Sequence, residues 1–283
     1  MTEMPALFIG HGSPMNTLES NGYTQAWRRL GAAIPRPRGI LVVSAHWFIG
    51  STAVTAMADP RTIHDFYGFP ERLFDFQYPA PGLPELAAEV ADVAKPDWVG
   101  LDRDQWGLDH GAWSVLAHLF PQADVPVVQL SINALKSLDY HVRLGAKLNE
   151  LRRRGVLLLS SGNVVHNLGR IDWRNKDGGE AWAHRFDDAA AVAMAERPGD
   201  VALLTDHPDF ASAVPTPDHF LPLLYTAGAA AASGGAAKAL VRGYALGSLS
   251  MSCYGVGMDA IDCATGHDAA SLPADVPADQ TNI

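Results

Sequence analysis

Pro5-Ala6-Leu7-Phe8-Ile9-Gly10-His11-Gly12-Ser13-Pro14 is the stretch on which the reading of this chain turns. Residues 5–9 form an apolar run of one strand's length, with no polar residue to mark a solvent face. A His between two glycines follows, at the carboxyl end where open α/β sheets gather their ligands. The flanking glycines offer the imidazole little packing and predict an open turn that presents it. The pattern recurs. Ile40-Leu41-Val42-Val43-Ser44-Ala45-His46-Trp47 is a continuous apolar run, as for a central strand buried on both faces, and it also finishes in a His. A third run, Val156 to Gly162, opens into Asn163-Val164-Val165-His166-Asn167.

Helical patterns separate these strands. They are predicted from Gly22 to Leu30, from Leu83 to Ala94, from the turn at residues 106–113 through Leu119, from Tyr140 to Arg153, from Trp182 to Ala195, and after Pro215–Pro222 through about Ala232. Further strands are predicted at Ala53–Met57, Val125–Ser131, Ala239–Arg242 and Gly247–Ser252. The alternation predicts a single-domain α/β sandwich whose central, largely parallel or mixed sheet is flanked by helices. No repeat or linker divides it, so residues 1–258 read as one catalytic domain. From residue 259 to 283 the chain turns to Ala, Asp, Pro and Thr without periodicity, which predicts a disordered tail.

The 283 residues are 48% hydrophobic, enough for a large core, and carry a formal net charge of −10. That balance argues against a nucleic-acid partner. No apolar run approaches the ~20 residues of a membrane span, and Met1–Met4 lacks the basic and apolar regions of a signal peptide. A cytoplasmic protein is expected. Two cysteines, Cys253 and Cys263, make no disulfide framework, so any metal must be held mainly by His and carboxylates.

Five of the eleven histidines then draw together. His11, His46 and His166 follow strands, while His110 and His219 stand in turns before helices. If these ends share one edge of the sheet, their imidazoles converge into a site for Zn or Fe. Any one of them, taken alone, also fits a hydrogen-bonded structural residue. His118, His141, His184 and His267 read as surface or capping residues, and His207 as a turn residue. His64 either closes over the site or is solvated. It lies in a long stretch, residues 58–82, rich in Pro, Gly and aromatics, which reads as a pocket wall or as an aromatic satellite core. Arg61 either meets a substrate carboxylate or is solvated.

Six motifs resemble the class III extradiol ring-cleavage dioxygenases, and within them the 4,5-DOPA dioxygenase extradiol subgroup. They are Gly-His-Gly-Ser-Pro-Met at 10–15, Ser-Ala-His-Trp at 44–47, Thr-Ile-His-Asp-Phe at 62–66, Gly-Leu-Asp-His-Gly-Ala-Trp at 107–113, Ser-Gly-Asn-Val-Val-His-Asn at 161–167 and Thr-Pro-Asp-His-Phe-Leu-Pro at 216–222. The resemblance covers about residues 4–256. It implies one divalent metal per chain, Zn2+ or Fe2+, with His11 and His46 as ligands and His219 in the third ligand's place. His166 is implied at the metal's edge, as a further ligand or as the catalytic base. His110 is implied to be a second catalytic His that meets substrate or O2. Ring-cleaving members usually complete the triad with a Glu; the all-His set that His219 completes here is typical of zinc.

The implied reaction inserts O2 into a small aromatic diol, such as DOPA or another substituted catechol, and yields a ring-opened semialdehyde. No nucleic acid and no membrane take part, and the protein acts as a monomer or homodimer. A zinc-dependent hydrolase on the same fold is the rival enzyme, with metal-activated water and His166 as general base. A non-catalytic metal-binding protein is the rival outside enzymology.

Overall fold

The computed structural model of the chain describes residues 3–258, 264–273 and 275–283. Its centre is a nine-stranded mixed sheet. Four parallel strands form the middle, in the order β1 (Ala6–Gly10), β6 (Val156–Gly162), β2 (Gly39–Ile49) and β5 (Val127–Asn133). On one side β10 (Cys253–Val256) runs antiparallel to β1, followed by β7 (Lys238–Arg242) and β11 (Ala264–Thr265). On the other, β3 (Ala53–Thr55) is antiparallel to β5 and pairs with β4 (Gly100–Asp102) at the edge. A two-stranded ribbon joins β8 (Tyr244–Ala245) to β9 (Leu249–Ser250).

The apolar runs are continuous because both faces of the middle strands are covered. Along β1, Ala6 and Phe8 enter one core and Leu7 and Ile9 the other. Leu221–Ala232, Leu138–Leu148, Pro84–Val93 and Ala181–Glu196 cover the first face; Gly22–Ala33 and His110–Leu119 cover the second. At about 1.5–3 kcal/mol for each fully buried large side chain, these two cores dominate the folding free energy. The sandwich matches the sequence expectation. Among the described residues, no helix is long and apolar enough to cross a membrane.

The expected tail, residues 259–283, is described in part. Residues 259–263 and 274 lie outside the described residues. The remainder is not structureless: Ala270, Leu272 and Ile283 are buried in the second core, Ala270 N–H donates to Asn16 Oδ1 at 3.1 Å, and Ser13 Oγ donates to Ser271 O at 3.0 Å. Small residues without periodicity read as disorder, yet a few isolated apolar side chains are enough to seat a segment on a body that is already folded.

Candidate metal centre and active site

The carboxyl ends of β1, β2 and β6 place their histidines together, each by a different local device. His11 follows β1 directly, and its N–H donates to Gly162 O at the end of β6 at 3.1 Å. The turn is not open, since His11 is buried. The glycine after it is needed because Gly12 has φ +60°, which L side chains rarely adopt. His46 lies inside β2 rather than beyond it. Val43 pairs with Leu130 and Phe48 with Ile132, so six residues of β2 span what three of β5 span. That irregularity re-aims the chain where His46 sits. His110 opens the helix His110–Leu119, whose N-cap Asp109 accepts the Ala112 N–H. Gly111 lets this helix approach, since a Cβ there would lie 2.8 Å from His46 Cδ2. His166 is pinned through its N–H to Ala213 O at 2.8 Å, and His219 stands two residues before the helix Leu221–Ala232.

The five imidazoles converge. The ligand atoms of His11, His46 and His110 lie within 4.8 Å of one another. The His219 ring is centred 5.3 Å from His11 and 5.0 Å from His46, and the His166 ring stacks on it at 3.6 Å. The structure thus brings every predicted site histidine to one place, with His110 closer to the first two than the sequence implied.

Neighbouring groups fix which nitrogens are free. Ser161 Oγ donates to Gly111 O at 2.6 Å, so toward His11 it can only accept, and His11 Nδ1–H donates to it at 2.9 Å. His11 Nε2 is left as a bare lone pair. His219 Nδ1 donates to Asp218 Oδ2, which leaves Nε2 buried without a partner among the described residues. Asp65 lies between two rings, Oδ2 3.4 Å from His46 Nδ1 and Oδ1 3.0 Å from His110 Nδ1; Oδ1 also accepts the His110 backbone N–H at 3.0 Å. Among the described residues, neither ring nitrogen of His110 has an aligned hydrogen-bond partner. Finally, His11 Nε2 and His46 Nε2 face each other at 3.3 Å. A proton on His46 Nδ1, toward the Asp65 carboxylate, brings two lone pairs together there, an arrangement that a cation between them resolves. Carboxylate or hydroxyl on Nδ1 and an open Nε2 is how metal-ligating histidines are usually oriented. The donor set therefore fits a divalent metal.

Electrostatics agree. Burial, then the neighbouring imidazoles, push His11, His46 and His166 well below the ordinary His value, so all three are neutral at pH 7. Burial alone raises the Asp218 carboxyl; His219 and its hydrogen bond outweigh that and hold it well below the usual carboxylate range. Asp109 moves the other way, up to about 6, by burial and then by Asp65.

Sequence reasoning missed Asp65 and Ser161 as orienting residues, although both lie inside quoted motifs. His64 does not reach the imidazoles; its Nε2 donates to Phe76 O at 2.8 Å within an aromatic cluster. That cluster is part of the second core, through Phe66, Phe69, Tyr78 and Trp113, and it also touches the site, since the Phe66 ring is edge-on to His110 at 5.5 Å. Arg61 donates to Gln105 O. His118 and His141, expected at the surface, are buried and bound to Asn16 O and Tyr225.

Comparison with known proteins agrees with this geometry. A curated Escherichia coli protein named 4,5-DOPA dioxygenase extradiol is 47% identical, over 90% of this chain and 96% of its own. A Beta vulgaris protein of the same name is 37% identical, over 79% of this chain and 85% of its own. The crystal structure of an uncharacterized Escherichia coli K12 protein superposes with a TM-score of 0.79 at 42% identity, covering 90% of this chain and 100% of that one. Residues 5–257 match the family described as the catalytic LigB subunit of aromatic ring-opening dioxygenase, and the chain belongs to that family.

Proposed function

We propose that the protein is a metal-dependent extradiol dioxygenase that opens a substituted catechol of the DOPA type. One observation carries the reading: anchored imidazoles aim unpartnered or facing Nε2 atoms at one buried point, in a chain of the ring-opening family. His11, His46 and His219 hold the metal. His219 is chosen over His110 because Asp218 fixes its proton on Nδ1, as Ser161 does for His11. No aligned bond fixes the proton of His110, which leaves it free to pass one. When bound, Fe(II) supplies a passage of electron density from catecholate to O2 that zinc, with no redox states, does not.

The chain's own residues handle position and protons. His166, neutral and stacked on His219, accepts a phenolic proton from the catechol. His110 faces the same point and returns a proton to oxygen as the O–O bond breaks. Phe66 gives the ring an apolar edge beside His110. Overall, one ring C–C bond beside the diol and the O–O bond are broken, and both oxygen atoms end in the semialdehyde.

The test is anaerobic reconstitution of metal-free protein with Fe(II) or Zn(II), followed by O2 uptake on adding DOPA or protocatechuate. Uptake with Fe(II) and a yellow product are expected, both absent in His46→Ala. No uptake with either metal across a catechol panel overturns the reading in favour of zinc-dependent hydrolysis.

A further inference from the structure

The site just described is closed. His11, His110 and His219 are buried, His166 is 9% exposed, and the His46 side chain keeps 4% of its surface. A catechol cannot reach nitrogens so enclosed unless some element beside them moves. The segment Asp275–Ile283 joins two loops that lead from the site. Tyr67 N–H donates to Thr281 O at 3.0 Å, and Asn282 Nδ2 donates to the backbone carbonyl of Asp65. Val276 packs on Gly68. The single turn Ala278–Gln280 lies against Leu168–Arg170, the turn that follows His166. Both anchors are thus next to site residues, Asp65 on one side and His166 on the other.

Two further facts set this segment apart. The family match covers residues 5–257, so this segment lies outside it. The site is also complete without it: the groups that orient the imidazoles are Ser161, Asp65 and Asp218, all in the body. Its bond to Asp65 is to the backbone carbonyl, not to the carboxylate that faces the histidines. Segments held by a few side-chain and loop contacts open at low free energy compared with the sheet.

We propose that residues 275–283 are a strap across the histidine site that lifts to admit substrate, and so sets which substituted catechols enter. The identity of the substrate rests on the ring-opening reading; the gate itself does not. Closing strands of chain commonly limit access and release in this way.

The experiment compares the full chain with a chain ending at residue 274 and with Asn282→Ala. In the metal-free proteins, diethyl pyrocarbonate modification of each histidine is followed by peptide mass spectrometry. His46 and His166 are expected to react at least about tenfold faster without the strap and severalfold faster in Asn282→Ala, while buried His141 stays unchanged as the internal control. In the Fe(II)-loaded proteins, KM is expected to fall with kcat retained, and the gain to grow with the size of the ring substituent. Unchanged histidine reactivity overturns the gate. So does a folded strapless enzyme with lower kcat and raised KM, which would make the segment part of the substrate wall. If the shortened chain does not fold, Asn282→Ala decides by the same two readings. Faster histidine modification without ring opening by any form would keep the gate and remove the dioxygenase reading.

Discussion

Around Asp187, a fully buried carboxylate on the helix Ala181–Glu196, every oxygen is matched. Oδ1 accepts from Ser250 Oγ at 2.5 Å; Oδ2 accepts from Ser252 Oγ at 2.9 Å, Arg242 Nη2 at 2.6 Å and Tyr244 OH at 3.3 Å. The histidine site is a near neighbour, linked by the Ser250 N–H to Val165 O at 2.9 Å, and it is equally dry. There, His219 Nε2 and both ring nitrogens of His110 lack aligned partners, and His11 and His46 turn nitrogens toward each other. Unmatched buried polar atoms are exceptional in native proteins. The Asp187 carboxylate is fully matched by protein groups, although Arg242 Nε beside it has no partner among the described residues. The histidine cluster is complete only when something else is bound. Burial of polar groups is common to both; what separates the carboxylate from the imidazoles is how fully the protein matches them and how many unmatched nitrogens face one point.

The largest expected effect breaks this comparison at the histidines. His46→Ala should lower O2 uptake by on the order of 10^3-fold or more, since residues acting as one catalytic unit fail together. The thermal midpoint of the metal-free protein should move by only about 2–4 °C, the shift that corresponds to about 1 kcal/mol in a chain of this size. Calorimetry that shows the fold collapsing along with the activity would make His46 a structural residue. Asp187→Ala is the converse. It leaves Arg242, whose charge the carboxylate supports against burial, with Asp188 as its remaining partner, and it strands three hydroxyls. Breaking a buried pair by removing one partner costs about 3 kcal/mol or more, to be read as a lower urea midpoint. The turnover of the molecules that remain folded should hold within about threefold, because none of these groups faces substrate.

These two clusters were not equally visible in the sequence. His11, His46 and His166 stand out because apolar strand runs end in, or lead into, a polar imidazole, and alternating strands and helices bring such ends to one edge. Asp218 was visible only as the neighbour of His219. Asp65 was not, because its role depends on a long loop whose path no periodicity encodes. The irregularity in β2 that aims His46 is a pairing property, and strand register is set by partners rather than by the strand's own residues. Asp187 looks like any acidic residue on a helix; only the return of β7 to β9 beneath it makes it a core group. The ordered C-terminal segment escaped for a similar reason, since its few apolar residues acquire meaning only against the folded body.

Asp218→Asn sharpens the comparison within the site. The amide can occupy the same space but lacks the charge that holds the proton on His219 Nδ1. Loss of such an outer partner typically weakens metal binding by about 10–100-fold. Competition against a chromophoric chelator measures it, and an unchanged affinity would remove His219 from the ligand set.

The smallest effect concerns a third kind of buried polar group. His141 is as buried as the site histidines, yet it meets no second site imidazole; its Nδ1 pairs with Tyr225 OH at 2.9 Å. Burial lowers its pKa to about 4 in the folded chain, against about 6.5 when unfolded. Between those values the unfolded chain binds a proton that the folded chain refuses. Stability therefore falls as pH drops from about 6.5 toward 4, by about 1.4 kcal/mol per unit, and levels off below. The contribution of this one residue is isolated by comparing slopes. In His141→Gln, ΔG of unfolding against pH should lose one proton's slope across that window, closing or reversing the gap to the parent by about 1.4 kcal/mol at pH 5.5 relative to pH 7. O2 uptake per folded molecule should stay unchanged. Equal slopes in the two proteins would mean that His141 is already charged in the fold. Its burial would then resemble that of Asp187, a charge matched inside the protein, rather than a neutral ring kept in the core for its shape.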